Sequence, residues 1–284
     1  IFGLAVIFLL IYGIVNNESP KPVKEVKETK VVKTETSLQT NKPTITHSNE
    51  KVIDTSEQFN LAKRYFDSKN YPKAFEIFIR LANDGDTYSQ NLIGWMYLNG
   101  MGVVKNEKES IKWLTLSANK GFAAAQNNLG FLYSNARGTT RDYAKSFDWH
   151  KKAADQGDAI GQYNIGVMYF QGLGVKADYQ EAFDFFKKAA GQGLKDAQFN
   201  LGVMYERGQG VVKANDKEAI NWYMLSANQG LNVAQYNLGF MYEQGKGVSQ
   251  DNKEAIRWYQ LAANQGYPEA KIALNRVKAT INQK

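Results

Sequence analysis

Histidine is the side chain best suited to proton transfer and metal binding near neutral pH. The 284-residue chain holds two, His47 and His150, and no cysteine. The lack of cysteine removes disulfides, thiol nucleophiles and thiolate metal sites. A histidine-dependent triad or metal site would have to be built on one of the two rings. His47 lies in a stretch rich in Lys, Thr and Glu. His150 occupies a slot that holds Leu114, Phe186, Tyr223 and Tyr259 at intervals of about 36 residues, so it is expected to be a partly buried ring standing in for an aromatic. Ser117-Ala-Asn-Lys120 has the Ser-x-x-Lys form of an acyl-enzyme nucleophile, as do Ser48 and Lys51. Chance explains both, because the positions equivalent to Lys120 hold Gln156, Gln192, Gln229 and Gln265, and no Ser-Asp-Asn or Lys-Thr-Gly accompanies them. Glu218 and Glu254 have the spacing of solvated helix-surface pairs. The expectation is therefore no catalytic residue, no metal ligand and no cofactor.

The elements that carry these residues repeat. Gly85, Gly121, Gly157, Gly193, Gly230 and Gly266 end successive units at spacings of 36, 36, 36, 37 and 36 residues, a period that means a solenoid. Within each unit two amphipathic stretches have helical spacing: Ala234, Leu238, Met241 and Tyr242 form one stripe, and Ala255, Trp258, Ala262 and Ala263 another. Each unit is a helix hairpin. A glycine recurs inside every first helix (Gly94, Gly130, Gly166, Gly202, Gly239), although glycine there costs about 1 kcal/mol relative to Ala. The expected reason is close backbone approach to a small residue in the second helix: Ser110, Ser146, Ala182, Ala219 or Ala255. Gly-x-Gly pairs at 100/102, 172/174, 208/210 and 245/247 follow a helix rather than a strand. They read as left-handed turn residues and not as a phosphate loop. The equivalent turn has Ala136 in place of the first glycine.

The recurring AQYNLGFMYEQGKGV...DNKEAIRWYQLAANQG, as it stands at 234–266, resembles the Sel-like repeat (SLR) family, relatives of the tetratricopeptide repeats. The resemblance covers 86–266 as five units: 86–121, 122–157, 158–193, 194–230 and 231–266. A shorter tetratricopeptide-like hairpin at 57–85, with Pro72 in the first turn of its second helix, precedes them, and a capping helix at 267–284 follows. The resemblance implies an all-α, right-handed α/α superhelix over 52–284, a monomeric solenoid and a role as a protein–protein interaction scaffold. Transferring the tetratricopeptide geometry, in which first helices line the concave face, gives three inward columns. The first holds Asn91, Asn127, Tyr163, Phe199 and Tyr236. The second holds Trp95, Phe131, Val167, Val203 and Phe240, and the third Leu98, Ser134, Phe170, Glu206 and Glu243. The expected binding face is an aromatic stripe (Trp95, Phe131, Tyr163, Phe170, Phe199, Tyr236) passing into an acidic rim (Glu206, Glu243), with a peptide or partner protein as ligand. Asn128, Asn164, Asn200 and Asn237 are expected to make a repeated hydrogen bond within each hairpin rather than to clamp a peptide backbone. Some cysteine-rich relatives are linked to penicillin binding, which leaves an envelope hydrolase or β-lactam-binding protein as the alternative function.

Residues 1–15 are uncharged and read as a membrane helix or the apolar part of a signal peptide. At about 1.5 Å per residue they reach about 22 Å, short of the ~30 Å hydrocarbon core, and the chain begins without Met, so a truncated anchor is expected. No small-x-small cleavage site follows Val15, which favours an uncleaved anchor. Residues 16–51 lack Gly and aromatics and hold Pro20, Pro22 and Pro43 among Lys, Thr and Glu, the composition of a disordered tether of about 35 Å root-mean-square span. Lys21, Lys24, Lys27, Lys30 and Lys33, taken alone, point that flank to the cytoplasm. The exported character of many relatives instead sets the solenoid on the periplasmic side of a single-pass membrane protein. The net charge of +7 is spread over the chain rather than concentrated, and a nucleic-acid partner is not expected.

Overall fold

Thirteen α-helices follow one another through the residues described in this computed structural model, 55–210 and 213–282, and among them there is no strand. The expected anchor at 1–15 and tether at 16–51 lie outside the described residues. No described helix is long and apolar enough to cross a membrane. The first hairpin is α1 (Thr55–Asp67) and α2 (Tyr71–Asn83), with Pro72 in the first turn of α2 as expected. Next come α3 (Thr87–Asn99) with α4 (Glu107–Asn119) and α5 (Ala123–Ser134) with α6 (Tyr143–Asp155). Then follow α7 (Ala159–Gln171) with α8 (Tyr179–Gly191), α9 (Lys195–Arg207) with α10 (Asp216–Asn228) and α11 (Asn232–Gln244) with α12 (Asn252–Asn264). A single helix, α13 (Pro268–Asn282), comes last.

Local chemistry sets the boundaries. Asn106, Asp142, Asp178, Asn215 and Asp251 cap the second helices by accepting backbone N–H groups of the first turn. Gly100, Gly172, Gly208 and Gly245 close first helices in the left-handed conformation, the turn role expected of them. The second glycine of each pair has a further duty. A Cβ on Gly138 would lie 2.6 Å from the Glu107 carbonyl oxygen, so this turn presses on the start of the preceding second helix. Ala136 takes the left-handed φ of 55° without glycine's freedom.

The glycines inside the first helices make room for a side chain, which corrects the expectation of small residues facing each other. A Cβ on Gly94 would meet the Leu114 side chain at 2.6 Å, one on Gly166 the Phe186 ring at 2.7 Å and one on Gly202 the Tyr223 ring at 2.7 Å. The nearest atom of Ala219 to that Cβ is its carbonyl oxygen, farther off at 3.2 Å. The helix penalty of glycine is thus offset by burying a large side chain, worth about 1.5–3 kcal/mol. His150 fills the same slot over Gly130 and is fully buried, not partly so.

Each helix packs on the one before and the one after, which makes a stack with a series of linked cores. First helices also reach one another across hairpins, α5 to α7 and α11 to α13. Hydrogen bonds from Asn128 to Asn91 (3.1 Å) and from Asn200 to the Tyr163 hydroxyl (3.4 Å) tie further pairs. Among the described residues no pair of second helices packs as extensively. Spacing is therefore tightest along the first helices, which form the inner row of the stack.

Candidate protein-interaction surface

Tyr163 and Phe199 are completely buried, which corrects their placement on an open face. Tyr163 lies 5.6 Å from Phe186, and Phe199 5.6 Å from Tyr223, each ring against its own second helix. The column one residue before the asparagines turns into the hairpin because the helix-internal glycine one turn on draws the second helix toward that side. Tyr236, near the end of the stack, is half-buried between Tyr259 and Tyr267. In the next column Val167 and Val203 are buried. Trp95 and Phe131 are half-buried: Trp95 lies 5.8 Å from Phe66, and Phe131 rests on the core around Leu114 and Leu129. Phe170 is half-buried, 5.0 Å from Tyr179.

The acidic rim is also corrected. Glu206 accepts the Tyr223 hydroxyl at 2.8 Å and the Lys246 ammonium at 3.0 Å. Glu243 accepts the Tyr259 hydroxyl at 2.7 Å and a forked contact from Arg276. Their side chains are only 16% and 13% exposed, so these carboxylates serve as internal acceptors. Burial, followed by the neighbouring carboxylate, pushes the Tyr223 and Tyr259 hydroxyls well above the ordinary tyrosine range.

The asparagines bond between hairpins, where a bond within each hairpin was expected. Besides the two ties above, Asn164 Nδ2 lies 3.1 Å from His150 Nδ1. Asn237 Nδ2 is buried with no hydrogen-bond partner, since the Phe199 ring that precedes it has no hydroxyl. A parallel ladder runs through the glutamines: Gln192 donates to Gln162, Gln229 to Gln198 and Gln265 to Gln235, at 2.8–2.9 Å. The Ser-x-x-Lys element belongs to this framework. The Ser117 hydroxyl donates to the Thr87 carbonyl at 2.8 Å and Lys120 to that of Gly85 at 2.6 Å, each reaching back to the preceding helix end. Ser226 repeats the first bond, to Lys195.

His150 is held neutral. Its Nδ1 lies 3.2 Å from Asn127 Oδ1, while Nε2 is buried against Gly130 with no hydrogen-bond partner. A protonated Nδ1 donates to Asn127 Oδ1 and a bare Nδ1 accepts from Asn164 Nδ2, so each neutral tautomer keeps one of the two contacts. Burial lowers its pKa to about 3. Among the described residues no cluster of His, Asp and Glu could hold a metal ion.

Charge is distributed unevenly within the three hairpins from α3 to α8, whereas α1 and α9 are charged as their partner helices are, a feature the sequence carried in plain view but which becomes legible only with the rows in place. Not one residue of α3, α5 or α7 is charged. The partner helices α4, α6 and α8 carry Glu107, Lys108, Glu109 and Lys112, then Lys145, Asp148, Lys151, Lys152 and Asp155, then Glu181, Asp184, Lys187 and Lys188.

The Sel1 repeat model matches the chain in six consecutive blocks: 58–86, 87–122, 123–158, 159–194, 195–231 and 232–267. The chain belongs to the Sel1 repeat family. The short first hairpin counts as one of its six Sel1 repeats. The c5321 protective antigen of uropathogenic Escherichia coli, which displays an SLR fold, is 36% identical with a TM-score of 0.75 over 79% of this chain. The alignment spans about half of that antigen, 49%. A Sel1 repeat protein from Oxalobacter formigenes is 30% identical with a TM-score of 0.71, covering 76% of this chain and 86% of its own. No curated protein matches the chain. Sel1-repeat proteins are generally non-catalytic scaffolds for protein–protein interaction.

Proposed function

We propose that this Sel1-repeat chain is an adaptor that binds a partner polypeptide along its inner row of first helices, with the membrane tether suggested by residues 1–15 holding it at a bacterial envelope. The observation that carries the reading is the segregation of charge. α3, α5 and α7 are charge-free and show half-buried Tyr88, Trp95, Phe131 and Ile160, whereas α4, α6 and α8 wear the solvating charge. A surface kept neutral across three repeats while its neighbour row is densely charged suits contact with another chain, since aromatic anchors with depleted charge mark interface cores.

A photo-crosslinking residue placed at Phe131 or Asn135 tests this in native cells, with Lys152 on the second-helix row as the comparison. The reading expects one polypeptide captured from the first two positions and not from Lys152. Capture from Lys152 alone, or from none of the three, would refute it. Release of the chain from native membranes by alkaline carbonate would refute the tether.

A further inference from the structure

In most hairpins the residue preceding the first helix plugs the seam to the hairpin before it. In four of six places it is apolar: Phe122, Leu194, Leu231 and Tyr267. Phe122 turns onto Tyr88 at 5.8 Å, Tyr267 onto Tyr236 at 5.3 Å, and Leu194 and Leu231 onto the cores around Ala197 and Val233. Of the two exceptions, Asp158 caps the Gly161 amide at 2.8 Å and with the same oxygen also accepts Asn127 from the preceding hairpin, at 2.6 Å. The other, Asp86, turns back to cap the Ser89 amide, and beside it lies a cavity of about 500 Å³ between α1 and α3. Phe59, Leu81 and Tyr88 supply its apolar walls, and Asn60, Lys63 and Asp86 its rim. The Lys63 ammonium is held by Asp67 at 3.1 Å. Tyr88 stands two turns from Trp95 on α3, so the cavity opens at one end of the charge-free row.

We propose that this cavity is the anchor pocket for the partner of the inner row, and that it takes a leucine- or phenylalanine-sized side chain from an uncharged peptide segment. The inference rests on the adaptor reading. The side-chain class follows from the other seams, where the chain itself supplies Phe, Leu or Tyr at this place. The neutrality of the segment follows from α3, α5 and α7: an ionised partner residue laid on them would lose water and meet no counter-charge.

The test uses the full chain and a displayed library of random 12-residue peptides. Enriched peptides are expected to carry Leu or Phe within a run of at least five uncharged residues. Asp86→Phe or Asp86→Leu, which installs the plug found in the other repeats, should weaken them at least tenfold with the thermal melt held or raised. Asp86→Asn keeps the cap without a plug and should bind as the parent does. Peptides rich in charge, or binding that survives both plugged variants, would overturn the pocket and leave the adaptor reading standing. A library that enriches nothing would overturn both. Faster proteolysis at Lys51 in the plugged variants, with peptide binding unchanged, would assign the cavity to residues preceding Thr55 and also overturn the proposal.

Discussion

Acid should unfold this protein earlier than its carboxylates alone require, because of His150. The ring is buried under Gly130 and its pKa is lowered to about 3, whereas an unfolded chain would titrate it near 6.5. Between those values the unfolded state binds the proton and the native state does not, so protonation favours unfolding. The stabilising effect of keeping the ring neutral is complete above pH 6.5 and is lost as pH falls toward 3. At pH 5 the loss is RT ln(1 + 10^1.5), about 2 kcal/mol, and at pH 3, where the native ring is half protonated, it is about 4 kcal/mol. His150→Phe, which copies Phe186 in the next repeat, removes this term while keeping a ring in the slot. Urea unfolding followed by circular dichroism at pH 7.5 and pH 5 should show the parent losing about 2 kcal/mol more than the variant. Imidazole resonances of His150 should not titrate between pH 8 and pH 5. Parallel stability losses in parent and variant, or a ring titrating near 6.5, would refute the buried-neutral assignment.

Gly202→Ala puts a methyl 2.7 Å from the Tyr223 ring; overpacking of about 1–3 kcal/mol should exceed the ~1 kcal/mol gain in helix propensity and lower the melting temperature. Tyr259→Phe strips one donor from Glu243 and should cost about 1–2 kcal/mol, read by chemical denaturation, with no change in partner capture. Tyr163→Ala with Phe199→Ala should cost about 6–10 kcal/mol if the two sites add, and the melt, not binding alone, should collapse. Ser117→Ala should lower stability by about 1 kcal/mol, and a fluorescent penicillin should fail to label the parent covalently, since the hydroxyl is already donated to Thr87.

The hairpins, their period and their turn glycines were readable because each is a local statement: apolar residues at helical spacing, glycine where φ is positive, Asp or Asn ahead of a helix. The facing of columns was not. A shift of one position is 100° around a helix, and the direction in which Tyr163 points is fixed by where α8 lies, a tertiary fact. The same gap explains the glycine error. Gly166 signalled close packing correctly, but the object packed is the Phe186 ring and not Ala182. The carboxylates misled for a related reason, since Glu206 and Glu243 look like surface acids until Tyr223 and Tyr259 are placed beside them.

Those pairs show how variation within a repeat array divides. Glu206 and Glu243 occur in the two repeats whose ring carries a hydroxyl, and each accepts it. Where the ring is replaced by Leu114, the same column holds Leu98 in the same core, and beside Phe186 it holds Phe170. Such changes are answered inside the molecule, so they report how the stack is assembled and carry no information about a ligand. Asp158 belongs with them, being answered by Asn127. The exchange of an apolar plug for Asp86 is different, because a cavity beside the touching Phe59 and Tyr88 rings stays open. Apolar walls left facing water cost about 25 cal/mol per Å² that four of the equivalent seams avoid. A partner side chain that recovers this energy only on binding gives the seam at Asp86 a reason to differ, and plugging it from within is the direct way to remove that reason.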